Sequence, residues 1–404
     1  MKILYHHRVA SRDGQFVHID AIVDSLRALG HEVIIVSPTV SQSTNFGDDG
    51  GWVSKLRRAL PGAIAEILEF GYCFYDLIKL AQAIRKHKPD VIYERYNILL
   101  PSGIWAKQLF KLPLLLEVNS PLYKERKDYT GIHFPMLAKW SEYYTWRNAD
   151  HLLPVSHVMA DYIYDTGVNR NKVTVVPNGI DKTLFNTTNS HPRLTKFKDK
   201  TVVGFVGFCR EWHQLDKVLE MIAQSNNRET VLLIVGDGPV LESLKEKAKQ
   251  LNMSEQIHLT GLVSREDMPH WLAQIDIAIQ PAVTPWCSPL KLIEYLATGK
   301  AIVAPDATNI KELLVDGHNA LLFKHDDIQE MPIHLRRLVD DPSLTKSLKN
   351  HAAKTIDHQQ LTWHQNAEKI IQQFEQELTK NKTTIIENNT ENSSSATPQA
   401  KRSL

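Results

Sequence analysis

The sequence predicts an α/β protein in which two doubly wound, Rossmann-like domains face a cleft. The chain has 404 residues, more than the ~250–300 that a single hydrophobic core usually supports. Short apolar runs alternate with amphipathic helical patterns, as expected for parallel sheets that are covered on both faces. The alternation starts again near residue 201, so we expect two such domains in succession.

The first half of the chain contains five predicted strands. Lys2–His6 is a short run centred on apolar residues, and residues 17–29 follow it with the 3.6-residue period of a helix that ends at Gly30. A strand, a helix and a second strand in this order form one unit of a parallel sheet. The remaining predicted strands are 33–36, 91–94, Leu114–Val118 and 151–155.

The second half repeats the pattern. The predicted helices are 215–223 and one that starts at Pro239, and the predicted strands are 201–208, Thr230–Val235, Ile257–Leu259, 275–280 and 301–304. Ligands of open α/β sheets bind at the carboxyl ends of the strands. We therefore expect the functional site at these ends, where the two domains face each other.

Domain boundaries follow from turn residues and composition. Residues 177–181, PNGID, are the predicted hinge because Asn-Gly favours a tight turn with positive φ, although an ordinary turn would have the same sequence. The predicted domains are 1–180 and 181–356, followed by a helix at 357–380 that packs back on the N-terminal domain. The rest is rich in Lys, Asn, Thr, Ser and Gln, which predicts a disordered tail at 381–404.

Composition excludes several classes of protein. Lys and Arg number 47 and Asp and Glu number 46, so the net charge of +1 does not favour bulk binding of nucleic acid. The 3 cysteines are far apart, without zinc-site spacing, which suits a reducing compartment. No signal peptide or membrane-spanning run is apparent. We expect a cytoplasmic protein, and peripheral attachment to the inner face of the cell membrane stays open.

The segment 286–300, WCSPLKLIEYLATGK, contains the clearest candidate site. Ser288 is a good N-cap, and Pro289 suits the first position of a helix. The free N–H groups of Leu290 and Lys291, the helix dipole and the Lys291 charge together form an anion site suited to a diphosphate. Glu294 lies one turn further on, where a carboxylate can accept both hydroxyls of a ribose. A capped helix with a solvated Glu294 has the same spacing, so both interpretations stay open.

Other loops at strand ends give weaker candidates. Arg210 or His213, after the strand 201–208, could reach the same phosphates, and arginine would hold them bidentately. Gly14, between the first strand and first helix, would let a ligand approach the backbone closely. The chain contains no Asp-x-Asp pair for a nucleotide-bound metal, so we expect Lys, Arg and helix ends to meet the phosphate charge.

These segments together resemble the retaining glycosyltransferases of the GT-B fold, in the large family 4 group. The resemblance covers about residues 2–378. It is based on segments that occur in the family's order and at its spacing, namely 14–18 with 30–33, 176–181 with Phe185, 206–213, 235–239, 260–263, and 288–294 with 299–304.

The resemblance implies an enzyme that transfers a sugar from a nucleotide-sugar donor to an acceptor hydroxyl, with retention of anomeric configuration and without a metal ion or other cofactor. It places the acceptor on the N-terminal domain and the donor on the C-terminal domain, and it suggests polysaccharide or glycolipid assembly. The implied catalytic residues are Arg210, Lys291 and Asn119, and the implied donor-binding residues are Gly14, Gly207, Gly261, Val263, Ser288, Leu290 and Glu294.

Some positions depart from the family pattern. Trp286 stands where the first of two glutamates normally helps to hold the donor sugar, and Phe208 and His213 replace basic residues. Asn119 occupies the region of a histidine that is often seen at the sugar. Two alternatives therefore stay open: a sugar-nucleotide 2-epimerase on the same fold, and a degenerate transferase that only binds its ligand, which Trp286 favours.

Residues 52–61 predict contact with a membrane. As a helix, this segment would place Trp52, Leu56 and Leu60 on one stripe beside Lys55, Arg57 and Arg58. Such a pattern is typical of a helix that lies in a membrane interface, and it would suit a lipid-linked saccharide as acceptor. The alternative is a helix that packs on its own sheet and leaves these cations solvated.

Overall fold

The two predicted sheets both form, and all their strand pairs are parallel. A computed structural model describes residues 1–9, 14–38, 60–186, 190–225, 227–325 and 327–394, with side chains to residue 380 in the last helix. Most strands are buried along their whole length, as expected for sheets with helices on both faces. The observed fold is the predicted pair of α/β domains.

The N-terminal sheet has the strand order β2-β1-β3-β4-β5. Its strands are β1 (Lys2–His6), β2 (Glu32–Val36), β3 (Val91–Arg95), β4 (Leu114–Val118) and β5 (His151–Pro154). The helices around it are α1 (Gly14–Ala28), α2 (Gly62–His87), α3 (Ser102–Phe110), α4 (Leu122–Glu125), which runs into a π-helix (Arg126–Thr130), α5 (Pro135–Asn148) and α6 (His157–Tyr164). The order reverses between β1 and β3, which is where such sheets open a crevice.

The C-terminal sheet has the strand order β11-β10-β9-β6-β7-β8. Its strands are β6 (Thr201–Val206), β7 (Thr230–Val235), β8 (Ile257–Leu259), β9 (Ile277–Ile279), β10 (Ala301–Pro305) and β11 (Leu321–Phe323). A short α7 (Lys182–Phe185) precedes it, and its helices are α8 (Leu215–Gln224), α9 (Leu241–Gln250), α10 (Met268–Ala273), α11 (Leu290–Ala297), α12 (Met331–Asp340) and α13 (Pro342–His358). The crevice here lies between β6 and β9.

The chain crosses between the domains twice, and the two crossings are hydrogen-bonded to each other. The Ile180 N–H donates to the Leu361 carbonyl at 3.0 Å, and the Trp363 N–H donates to the Ile180 carbonyl at 3.3 Å. The predicted positive-φ turn at Asn178-Gly179 is wrong, because neither residue has positive φ. Gly179 is needed for another reason: a methyl group there would lie 2.6 Å from the Trp363 nitrogen.

The last helix, α14 (Trp363–Ser394), packs against α1 of the N-terminal domain. Its residues Ile370 and Phe374 are fully buried in a core cluster with Ile3 and Tyr5 of β1. The helix continues past residue 381, where a disordered tail was predicted. The reason is local, since residues 363–394 contain no glycine or proline that would end a helix. Residues 395–404 lie outside the described chain.

The segment predicted to contact a membrane is described only at its end. Residues 52–59 lie outside the described residues, and α2 begins just beyond them at Gly62. In the part of the chain that the structure describes, no helix is both long enough and apolar enough to cross a bilayer.

Candidate functional site

A cleft of about 3590 Å³ runs between the domains. It is several times larger than the roughly 300–1,000 Å³ of a typical small-molecule pocket, so it has room for two substrates. Eight of the ten predicted site residues line it: Arg210, Lys291, Asn119, Gly207, Val263, Ser288, Leu290 and Glu294. Gly14 begins α1 directly before the lining residue Gln15, and Gly261 directly precedes the lining residue Leu262.

The amino end of α11 points into the cleft, but its cap differs from the prediction. Pro289 occupies the N-cap position, and Ser288 does not cap the helix. The Ser288 hydroxyl instead accepts the Asn178 backbone N–H at 3.1 Å, and the Ser288 carbonyl accepts from Asn178 Nδ2 at 2.5 Å. Among the described residues, nothing accepts the N–H groups of Leu290 and Lys291. This end of the helix therefore keeps free donors for an anion.

Lys291 is a partly buried cation without a carboxylate partner among the residues described. Its Nζ lies 3.9 Å from the centroid of the Phe205 ring and 3.4 Å from Nε2 of His213. Burial lowers the pKa of Lys291 to about 8. A bound phosphate would supply the missing negative charge and raise that pKa again.

His213 adds a second donor beside Lys291. Burial, reinforced by the Lys291 charge, lowers the pKa of His213 to about 2, so the ring is neutral. Its Nδ1 accepts the Arg210 N–H at 3.1 Å, which leaves the ring hydrogen on Nε2, the atom that faces Lys291. Two donors therefore converge on the same space at the end of α11.

Glu294 lies one turn along α11, and its carboxylate has no hydrogen bond or ion pair within the described chain. Burial raises the pKa of its carboxyl to about 7, against the opposing charges of Arg265 and Lys291. Arg265 also lines the cleft; it was not predicted as a site residue, because a single loop arginine has no distinguishing pattern. The carboxylate is free to accept hydroxyl groups of a ligand.

Glycines bring the loops after β6 and β7 close to this helix end. Gly207 has φ +128°, and a methyl group there would lie 3.2 Å from Cε of Lys291. Gly236 has φ +141°, and a methyl group there would lie 2.2 Å from the Gly207 carbonyl oxygen. Arg210 is exposed on the cleft wall, with its guanidinium 5.0 Å from the centroid of the Phe208 ring. Its charge is thus close to the position that is basic in the family pattern.

Trp286 contacts the other domain. Its side chain is only 3% exposed and belongs to the N-terminal core cluster. Its ring is edge-on to that of Tyr162, with the two ring centroids 6.1 Å apart. Its carbonyl accepts the Ser156 hydroxyl at 2.8 Å. The residue that replaces the family's first glutamate therefore helps to fix the loop before α11 against the N-terminal domain.

The N-terminal wall holds a buried network around Glu117, in β4. Arg95 donates to this carboxylate, Tyr93 Oη donates to it at 3.0 Å, and Asn119 Nδ2 donates to it at 2.5 Å. His18 Nε2 lies 3.2 Å away. Burial would raise the pKa of Glu117, but His18 and Arg95 hold it well below its usual range. Asn119, predicted to contact the sugar, thus already uses an amide hydrogen inside the protein.

The network continues across the domain boundary. His18 Nδ1 lies 2.7 Å from Asn178 Oδ1, and Asn178 in turn donates two hydrogen bonds to Ser288. Glu117, His18 and Asn178 were not predicted as site residues. The available signal was charged residues, Arg95 and Glu117, inside apolar strands. The buried network therefore connects the N-terminal wall to the residue just before α11.

Comparison with known proteins divides the chain in the same way. Residues 12–184 match the family model Glycosyltransferase Family 4, and residues 186–355 match Glycosyl transferases group 1. An uncharacterized glycosyltransferase of Methanocaldococcus jannaschii is 23% identical over 76% of this chain and 79% of its own length. Alpha-monoglucosyldiacylglycerol synthase of Streptococcus pneumoniae is 22% identical over 78% of this chain and 75% of its own.

Solved structures share the fold at low sequence identity. Anabaena HepE in complex with UDP superimposes with a TM-score of 0.71 at 18% identity, covering 93% of this chain and 100% of that one. Sucrose-phosphate synthase from Thermosynechococcus elongatus gives 0.73 at 14% identity, covering 94% and 99%. Both domains are matched together, so the similarity includes the two-domain arrangement.

Proposed function

Because the chain belongs to the family 4-like glycosyltransferases of the GT-B fold, which use nucleotide-sugar donors, we propose that it transfers a sugar to an acceptor hydroxyl with retention of anomeric configuration. The observation that carries this proposal is the amino end of α11. There two free N–H groups, the unpaired Lys291 and the unpaired Glu294 lie within one helical turn.

The donor would lie along this helix end. Its diphosphate would accept from the N–H groups of Leu290 and Lys291, from Lys291 Nζ and from Nε2 of His213. Its ribose would donate to Glu294, and its base would lie near Val263, which lines the same wall. The HepE structure with UDP supports the proposal in that a protein of this fold binds a nucleoside diphosphate.

In the proposed reaction, the bond between the anomeric carbon and the β-phosphate oxygen breaks, and its electron pair stays on the phosphate. The acceptor oxygen bonds to the same face of the sugar, and its proton goes to the leaving phosphate. Charge builds on the phosphate as the bond breaks, so donors fixed at that position lower the barrier. Lys291, with Arg210 on the wall nearby, would provide this stabilisation.

We propose that no metal ion takes part, because the helix end and Lys291 can carry the phosphate charge. Transfer measured with and without EDTA tests this point. We expect the same rate in both. Complete loss with EDTA, restored by Mn²⁺ or Mg²⁺, would contradict it.

A thermal-shift screen with UDP-, GDP- and ADP-sugars would identify the donor, since a ligand that binds the folded state raises the melting temperature. NMR of the product formed from that donor then gives the anomeric configuration. A product of inverted configuration would refute retention. Release of a free epimer without acceptor would instead indicate the epimerase, and donor binding without turnover the binding protein.

We further propose that the acceptor is a saccharide presented at a membrane surface, most simply a lipid-linked one, as in polysaccharide or glycolipid assembly. The protein would then act at the cytoplasmic face. The relative from Streptococcus pneumoniae is named for a glycolipid product, which supports this class of acceptor. Transfer to a short-chain lipid-linked sugar, compared with the free sugar, would test it.

A further inference from the structure

In the first two thirds of helix α2, the acidic side chains are turned inward and a row of large apolar side chains is exposed. Between Gly62 and Ile78, the exposed large side chains are all apolar or tyrosine, each 47% to 57% exposed. They recur at three- and four-residue spacing, which puts them on one face of the helix. These residues are Ile64, Ile67, Leu68, Phe74, Tyr75 and Ile78.

The three acidic residues of α2, Glu66, Glu69 and Asp76, are held on the opposite side, and Glu69 pairs with Arg126 at 2.6 Å. Glu66 accepts the N–H groups of His133 and Phe134, both at 2.8 Å. Asp76 accepts the Ser102 hydroxyl at 2.6 Å and lies 3.0 Å from His6. These inward partners leave the outer face of α2 without a negative charge along this stretch.

Neighbouring helices extend the apolar surface. Rings in contact run from Trp105 of α3 to Phe74 and Phe70 of α2 and on to Trp140 of α5. Trp140 is 45% exposed. Phe134 and Met136, at the start of α5, are also exposed, as is Leu109 of α3. We call this continuous surface the α2 face. Contiguous exposed apolar patches of this kind mark sites of association.

Cations lie at the edge of the α2 face. Arg85 and Lys86, in the last turns of α2, and Lys139, beside Trp140, are exposed. None of the three pairs with a carboxylate in the described chain. Lys79, at the end of the apolar stretch, lies 5.1 Å from the centroid of the Tyr75 ring. Apolar residues with tryptophan and tyrosine, bordered by basic residues, suit the interface of an anionic bilayer.

We infer that the α2 face docks on an anionic lipid surface. A second copy of this chain would offer the same cations and no exposed carboxylate from this stretch of α2 to pair with them. A bilayer containing acidic headgroups offers both an apolar phase and the opposite charge. The few basic residues add electrostatic attraction that salt screens, so the attachment is reversible.

The α2 face also reaches the N-terminal wall of the cleft. Tyr72, Tyr75 and Lys79 of α2, with Tyr129 of the π-helix, are lining residues of the cleft. Docking by the α2 face would therefore bring this wall of the cleft close to the lipid surface. This role in delivering the acceptor rests on the proposed function, whereas docking itself does not. It requires none of residues 52–59.

Co-sedimentation with vesicles tests the inference. The probes are vesicles of phosphatidylcholine alone and vesicles with 30% phosphatidylglycerol, each at low and high salt. Wild type should pellet with the anionic vesicles at low salt, and less at high salt. Ile67→Glu/Phe74→Glu should lower the partition coefficient at least tenfold. Arg85→Gln/Lys86→Gln should lower it severalfold on anionic vesicles only.

A matched control is Ile333→Glu, which alters an equally apolar residue, 66% exposed, on α12 of the other domain. It should pellet like wild type. The thermal shift produced by the identified donor should be unchanged in all variants, which shows that they are folded with an intact C-terminal site. Loss of vesicle binding with retained donor binding separates this surface from the proposed enzyme activity.

Three results would overturn the inference. Wild type could stay in the supernatant with anionic vesicles at low salt, or Ile67→Glu/Phe74→Glu could pellet as wild type does. Sedimentation velocity without lipid could also show a wild-type dimer that Ile67→Glu/Phe74→Glu dissociates, in which case the face binds a second copy. Transfer to a soluble acceptor by wild type in any of these cases would leave the proposed function intact.

Discussion

The two walls of the cleft both contain buried charges but differ in how those charges are satisfied. On the N-terminal wall, Glu117 has Arg95, Tyr93, Asn119 and His18 around it. On the C-terminal wall, the Glu294 carboxylate makes no hydrogen bond or ion pair within the described chain. The N-terminal network is complete without a ligand, whereas the C-terminal one is not.

The pKa values show the same contrast. The N-terminal partners hold the pKa of Glu117 well below its usual range although burial would raise it. In His6, burial would lower the pKa, but Asp76 and Glu94 raise it to about 10. On the C-terminal wall burial prevails, so the pKa of Glu294 is raised to about 7 and that of Lys291 is lowered to about 8.

This difference separates residues that hold the structure of the cleft from residues whose missing partners would come from a bound substrate. A buried charge without partners lowers the stability of the fold. Such a charge is typical of a site where a ligand supplies the missing partner. A charge with all its partners contributes to a fixed geometry. We therefore expect the N-terminal network to act mainly on stability and domain arrangement, and the C-terminal residues to act mainly on donor binding and transfer.

The largest expected effect is on stability. Glu117→Ala would leave Arg95 buried and unpaired, which should lower the free energy of unfolding by roughly 3–5 kcal/mol. Glu294→Ala removes a half-buried carboxylate that has no partner, so it should be close to neutral. Urea unfolding of both variants, followed by circular dichroism, measures the two values.

If Glu117→Ala and Glu294→Ala lower the free energy of unfolding by similar amounts, the proposed difference between the two walls is wrong. Glu117→Gln serves as a control, because it keeps hydrogen-bond acceptor capacity for Tyr93 and Asn119 while removing the charge. Its free energy of unfolding should lie between those of wild type and Glu117→Ala.

The next effect is on the rate. Lys291→Ala should lower kcat about 10²–10³-fold, since removing one preorganised donor from a developing negative charge typically costs this much. Lys291→Arg should recover part of the rate. Steady-state transfer with the donor found in the screen provides the measurement.

Lys300 provides a matched control for Lys291. It is buried, its pKa is likewise lowered by burial to about 8, and it follows the carboxyl end of α11 and does not line the cleft. Lys300→Ala should change kcat less than threefold. A kcat for Lys291→Ala above one tenth of the wild-type value would remove Lys291 from the proposed chemistry.

Much of the C-terminal wall could be predicted from sequence because its parts are local. Lys291 and Glu294 lie within one turn of one helix, so their spacing alone places them on the same face. Strands of the same sheet were also predictable: the predicted bounds of β7 and β8 equal the observed ones.

The N-terminal wall could not be predicted in the same way. Its contacts join residues that are far apart in sequence, such as His18 with Asn178, 160 positions away. No local period reports such a contact. Tertiary packing also changed a local prediction: the Ser288 hydroxyl accepts the Asn178 backbone N–H and does not cap α11.

A smaller effect is expected on donor affinity. Glu294→Ala should weaken binding of the intact nucleotide sugar about tenfold or more, because a charge-assisted hydrogen bond is worth roughly 1.5–3 kcal/mol. Titration calorimetry with the identified donor measures this. An unchanged affinity in a folded variant would show that Glu294 does not contact the donor. Glu117→Gln should bind the donor within about threefold of wild type.

The smallest effect is the pH dependence of donor binding. With a pKa of about 7, Glu294 loses its charge as the pH falls below neutrality, and with a pKa of about 8, Lys291 loses its charge as the pH rises. Both must be charged to bind ribose and phosphate as proposed. Affinity should therefore peak near pH 7.5 and fall about two- to threefold by pH 6.5 and by pH 8.5, because the pH dependence of binding follows the pKa values of these groups in the free enzyme.

Two variants test this assignment of the titrating groups. Lys291→Arg should abolish the alkaline decline, since arginine stays protonated throughout. Glu294→Gln should abolish the acid decline. If both variants keep the wild-type profile, the titrating groups lie elsewhere, and the unpaired charges of the C-terminal wall do not control donor binding.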